Sequence, residues 1–146
     1  MTTPVDLTTL GPLARKAIAN ALEELAFMSV DAPPENPAAG ERCWAAIGAM
    51  GVPFGKLVVE APVAMARRLA ATALGVEETA ISDSQALDAL AEATNTACGQ
   101  LARGFSESFD LGLPEKGSGA LPPGETLAEE LLGVDEYLLR ARVMAV

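Results

Sequence analysis

The stretch from Ser82 to Gly104, SDSQALDALAEATNTACGQLARG, limits the fold more than any other. Ser82 and Gln85 have the spacing of a reciprocal N-terminal cap, in which each side chain bonds the other's backbone N–H. No proline interrupts the run, so it reads as one helix ending near Arg103, with Gly104 after it. A helix turns about 100° per residue. With Gln85 at zero, Leu87, Leu90, Thr94, Ala97, Cys98, Leu101 and Phe105 fall in an arc centred near roughly 170°. That arc has to be buried against another layer of structure.

Asp88, Glu92, Asn95 and Gly99 fall in a second arc, centred near roughly 310°. Asn is a poor helix former because its amide competes for backbone hydrogen bonds. Asp88 and Glu92 are like charges one turn apart, which is mildly destabilising. Glu92 has no basic residue three or four positions away, and Asn95 is mid-helix and cannot cap. Read alone, the stripe is either a solvated face or a set of residues retained for something other than helix stability. Gly99 either leaves room for a partner's backbone or packs closely within the protein.

The rest of the chain narrows the choices. Its 146 residues suit one domain, residues 1–146, and half of them are apolar, enough for a packed core. The net charge of −10 argues against nucleic acid and anionic membrane surfaces as partners. There is no histidine, which removes the commonest general base and metal ligand. Cys43 and Cys98 lie in apolar surroundings and read as core thiols. The N-terminal residues lack a basic and apolar leader, and no run suffices for a membrane span. A cytoplasmic location is the default expectation.

Other elements follow from periodicity and breakers. A first helix is expected from Thr9 to Met28, with Ile18, Leu22 and Leu25 on its apolar side. The Pro-rich stretch from Asp31 to Glu41 reads as a loop. CWAAIGAMG and GKLVVE read as a hairpin around VPF. Pro62 fits N1 of the next helix and Gly75 its C′ position. SFDLGLP reads as a strand ending at Pro114, and EKGSGALPPGE as a loop. TLAEELLG favours helix by propensity but is short enough for a strand. The tail reads as a strand with Leu139, Ala141, Val143 and Ala145 on one face. A faint repeat aligns ALEELAF with ALAEATN, so that Glu24 answers Glu92 and Phe27 answers Asn95.

With these residues in view, the chain resembles the chemotaxis phosphatases of the CheC, CheX and FliY type, most closely the single-site CheX-like members. The shared motif is an Asp or Ser, three residues, a Glu, two residues and an Asn, with a proline downstream. Here it is Asp88, Glu92, Asn95 and Pro114, followed by the small residues of NTACG. ALEELAFMSVDAP and GKLVVEAPVAMARRLAATALG also resemble family segments. The spacing from Asn95 to Pro114 is a little shorter than the family's. Phe27 stands where two-site members carry a second Asn, which implies one site per chain.

The resemblance implies a mixed α/β (α+β) domain with an internal pseudo-repeat, its antiparallel central sheet packed against long helices. It also implies hydrolysis of the aspartyl phosphate of a response-regulator receiver domain. In that role Asn95 would orient the attacking water, as a neutral amide does in small GTPases. Glu92 would dock the receiver's lysine, and Asp88 and Gly99 would support or touch the partner. No cofactor of its own is implied, Mg²⁺ being expected on the receiver. A homodimer formed by joining sheets would use the C-terminal strand as its edge. Two alternatives stay open: a non-catalytic receiver-binding or signalling module of the same fold, and a flagellar switch or scaffold component.

Overall fold

A computed structural model describes residues 7–146. Helix α1 spans Leu7–Ala26, beginning and ending two residues before the expected bounds. It stops where Phe27 enters the left-handed region, with φ 55°. The Phe27 N–H donates to the Glu23 carbonyl at 2.9 Å, the closing bond of a left-handed C-terminal cap. Glycine ordinarily takes that position, and a Phe there costs on the order of 1 kcal/mol. The ring is 87% exposed, so burial does not offset the strain.

The expected hairpin forms from β1 (Arg42–Met50) and β2 (Lys56–Pro62), antiparallel with Cys43 opposite Ala61 and Ile47 opposite Leu57. Period-two alternation puts Cys43, Ala45, Ile47, Leu57 and Val59 in the core. Helix α2 (Val63–Leu74) follows without a loop. Pro62 is its N-cap, one place before the expected N1, because its extended backbone still belongs to β2. Gly75 ends α2 with φ 68°; its N–H bonds Thr72 O and the Val76 N–H bonds Ala71 O, a Schellman closure. After a 3₁₀ turn at Glu78–Ala80, α3 spans Asp83–Arg103. Both capping-box bonds are made, Gln85 N–H to Ser82 Oγ at 3.1 Å and Ser82 N–H to Gln85 Oε1 at 2.9 Å.

Past α3 the structure corrects two expectations. The segment SFDLGLP is not one strand: only Asp110–Leu111 (β3) pairs with β1. The first part of the expected loop is a strand, Glu115–Ser118 (β4), also antiparallel to β1. Leu111 faces Ala49 and Glu115 faces Ala46. Three residues, Gly112 to Pro114, therefore oppose only Ile47 and Gly48. This is a β-bulge in one interrupted edge strand, at a proline that has no N–H to give the ladder. The extra residue reverses the alternation. Lys116, opposite Ala45, turns toward the helices, while Glu115 turns to the far side and meets Lys56 at 3.5 Å.

TLAEELLG resolves as part of β5 (Thr126–Val134), paired along its length with β6 (Tyr137–Met144). Pairing and burial of Leu132 and Val134 override its helical propensity. The sheet is antiparallel, in the order β3-β1-β2-β6-β5, with β4 also on β1. The C-terminal strand is thus not an edge: β6 lies between β2 and β5, because the segment before it became a strand. Part of the β5 edge is covered by the protein itself. Asp31 exchanges backbone bonds with Gly133 at 2.8 and 2.9 Å. Arg15 donates to the carbonyls of Leu131 at 3.0 Å and Asp31 at 2.9 Å. A Cβ on Gly133 would lie 2.2 Å from the Ala32 carbonyl oxygen, so only glycine admits this approach.

The core lies between the sheet and the helices, with Leu10, Leu22, Met65, Leu69 and Leu90 against Ile47, Leu57 and Leu139. Thr94, buried within it, donates to the Leu90 carbonyl at 2.7 Å. Cys43 and Cys98 are buried and unpaired with each other, and the Cys98 thiol points to the Ile47 carbonyl at 3.8 Å. The opposite face of the sheet carries ion pairs, Arg42–Glu60 at 3.1 Å and Arg142–Glu129 at 2.9 Å. No described helix is long and apolar enough to cross a membrane.

Candidate functional site

Helix α3 turns its apolar arc inward: Leu90, Ala97, Cys98 and Leu101 are all buried. This forces the second arc outward. Asp88 and Glu92 are exposed and Asn95 is half-buried. Gly99 is buried, with Leu111 of β3 beside it; an added Cβ would sit 3.7 Å from Leu111 Cδ1. Gly99 therefore forms the floor of a hollow and is not part of the exposed stripe. The hollow, about 340 Å³, is bounded by Glu24 of α1, Asn95 and Arg103 of α3, and Leu111 of β3.

The three polar residues have different surroundings. Asp88 is paired with Lys116 of β4, the residue that the bulge turns inward. Glu92 and Asn95 have neither an ion pair nor a side-chain hydrogen bond to any described residue. The Asn95 amide is thus held on a rigid helix with its donor and acceptor unspent. Glu92 stands one turn away with its charge unneutralised. Glu24, across the hollow, is likewise unpaired among the described residues.

This arrangement can position a small polar species such as water, and Glu24 and Glu92 can attract a cation on the side of the hollow away from the guanidinium-bearing Arg103. It is poorly suited to nucleophilic catalysis. The nearest thiol, Cys98, lies beneath the helix, and burial pushes it up to about 12, so it stays protonated and inert. Among the described residues, no group of His, Cys, Asp or Glu is placed to hold a metal ion.

Sequence reasoning missed Lys116, Leu111 and Glu24 as parts of this region. EKGS lacks β-branched and aromatic residues, so nothing local marks Lys116 as a strand residue facing a helix. Glu24 was visible only through the repeat. Its approach to Asn95 depends on α1 and α3 packing antiparallel, with Leu13 and Ala17 near Leu101 and Gly104, and Glu24 near Asn95.

Comparison with known proteins is consistent with this geometry. The model of the family described as chemotaxis phosphatase CheX matches residues 43–125, more than half of the chain and including the whole polar stripe. No curated protein matches the chain by sequence. Among solved structures, the chemotaxis protein CheX from Vibrio vulnificus superposes with a TM-score of 0.71 at 17% identity, covering 97% of this chain and 99% of that one. The CheX–CheY–BeF₃–Mg²⁺ complex from Borrelia burgdorferi gives 0.65 at 15% identity, with 97% and 98% covered. FliY from Thermotoga maritima gives 0.62 at 14% identity, with 99% and 92% covered. At these identities the likenesses establish the fold.

Proposed function

The chain belongs to the CheX family of chemotaxis phosphatases, and from that premise we propose that it hydrolyses the aspartyl phosphate of a response-regulator receiver domain. The observation that carries this reading is the unspent amide of Asn95, facing outward one turn from the unpaired carboxylate of Glu92. An acyl phosphate is already activated, so what the reaction lacks is a water held in line with the breaking P–O bond. Asn95 accepts from and donates to that water without placing negative charge beside the phosphoryl group. Water adds to phosphorus, the aspartyl oxygen leaves, and inorganic phosphate and the free carboxylate result.

Glu92 sets the register of the amide by pairing with a lysine of the receiver. Asp88, held by Lys116, acts as a supporting residue. The stripe is a poor divalent-ion cage, because two carboxylates one turn apart leave most oxygen positions unfilled. The chain therefore acts without a metal of its own. Mg²⁺ bound to the receiver neutralises phosphoryl charge. The CheX relative solved with CheY, BeF₃ and Mg²⁺ supports a receiver as the partner.

The test mixes the protein with phosphorylated receivers of its own organism and follows loss of the acyl phosphate, with Asn95→Ala in parallel. Hydrolysis should fall by about 10²-fold or more in a variant that remains folded. Binding without any hydrolysis by the unaltered protein would replace this reading with that of a non-catalytic receiver-binding module.

A further inference from the structure

We propose that Phe27 is the apolar anchor by which the phosphorylated receiver is held while Asn95 acts on it; the inference rests on the receiver-phosphatase reading. Three observations converge on this residue. First, Phe27 is unfavourable for folding on two counts: its backbone is left-handed, φ 55°, and its ring is 87% exposed. An outlier of this kind calls for a role outside stability.

Second, Phe27 is continuous with the Asn95 hollow. Glu24 bounds that hollow and also a second one, which it shares with Asn20, Glu23 and Phe27. Phe27 follows Glu24 by three residues, so it is displaced along α1 by roughly 4.5 Å. Packed helices lie about 8–10 Å apart, which puts Phe27 on the order of 10 Å from the level of Asn95. A standard interface covers about 800 Å² on each partner, roughly 28 Å across. A receiver seated on Asn95 therefore overlies Phe27.

Third, the offset that pairs Glu24 with Glu92 also pairs Asn20 with Asp88 and Phe27 with Asn95. At the paired positions α1 thus keeps the Glu but has Asn20 in place of the Asp, and an aromatic ring stands just past its end where α3 carries the amide. Glu23 and Glu24, which line the hollow beside the ring, are unpaired among the described residues, so the ring is flanked by two carboxylates. The complementary surface is an apolar patch bordered by cations, which suits a receiver presenting a lysine to Glu92. Aromatic residues at the centre of such contacts carry a disproportionate share of binding energy.

The test uses the full chain and a receiver domain loaded with beryllium fluoride and Mg²⁺ for binding, and the phosphorylated receiver for turnover. Phe27→Gly should unfold at a higher temperature than the parent, because glycine relieves the left-handed strain. Its Kd for the loaded receiver and its KM should rise by about tenfold, with kcat little changed. Phe27→Asn should lose affinity equally, while Phe27→Leu should retain most of it. Unchanged affinity in Phe27→Gly would overturn the anchor, as would equal loss in Phe27→Leu and Phe27→Gly. Asn95→Ala separates the two readings: retained hydrolysis there defeats the catalytic proposal, whereas the anchor stands or falls on the Phe27 series alone.

Discussion

Lys116 of β4 reaches across to Asp88 of α3, and in doing so leaves Glu92 as the unneutralised acid of the stripe. Both partners are substantially exposed, with side-chain accessibilities of 42% and 57%, so the pair contributes little to stability. Lys116→Ala should change the unfolding free energy by less than about 1 kcal/mol, read from urea midpoints at constant slope. A larger loss would make the pair a structural tie and not a surface contact.

Charge reversal at Glu92 should act on binding. In Glu92→Lys two cations would face one another at the receiver's lysine, a penalty that can reach several kcal/mol. Affinity for the loaded receiver should fall further than in Asn95→Ala, and the loss should shrink at high salt. Calorimetry at two ionic strengths checks this; equal dissociation constants for Glu92→Lys and the parent would remove Glu92 from the contact.

The two buried thiols make the fold sensitive to alkali. Burial raises Cys43 from 9.0 to about 11 and Cys98 from 9.0 to about 12. Raised values in the folded state mean that the unfolded chain loses these protons first. Stability is therefore fully present below about pH 9 and declines as pH rises toward 11 and 12, by up to about 1.4 kcal/mol per pH unit for each thiol. Urea titrations at successive pH values should show a shallower decline when both cysteines are replaced by alanine. Identical slopes would show that other groups cause the loss.

Deleting Leu113 should close the bulge. With the extra residue gone, Gly112 and Pro114 would oppose Gly48 and Ile47 one to one, so Glu115 and Lys116 would keep their places opposite Ala46 and Ala45 and the Lys116–Asp88 pair would persist. Hydrolysis should therefore survive the deletion as it survives Leu113→Ser, which keeps the residue count; loss of hydrolysis in the deletion alone would show that the site depends on the bulge itself. Leu113 is 90% exposed, so the contrast isolates the bulge from side-chain loss.

Where the sequence was readable, the reason was local. The Ser82–Gln85 cap, the hairpin turn, Gly75 and the two faces of α3 each depend on residues within one or two turns of each other. What was not readable depended on distant partners. β5 is a strand because β6 lies beside it, and β6 is therefore interior. β4 exists because β1 offers it an edge. The outward position of Asn95 followed from the α3 periodicity, but nothing near Asn95 announced Glu24 or Leu111 at its side. Gly99, ambiguous from spacing alone, is flanked by Leu111 of a strand that periodicity placed only approximately.

The Arg15 and Asp31 contacts on β5 have a consequence for the protein at high concentration. An uncovered sheet edge is a template on which unrelated or identical chains can add strands. Near Leu131 and Gly133 that template is already occupied from within, by a guanidinium and a backbone segment held at 2.8–3.0 Å. Runaway fibre growth along this edge is thereby restrained at one end, and any ordered association through it has to begin nearer Thr126. Loosening Arg15 would uncover the Leu131 carbonyl for pairing with another chain.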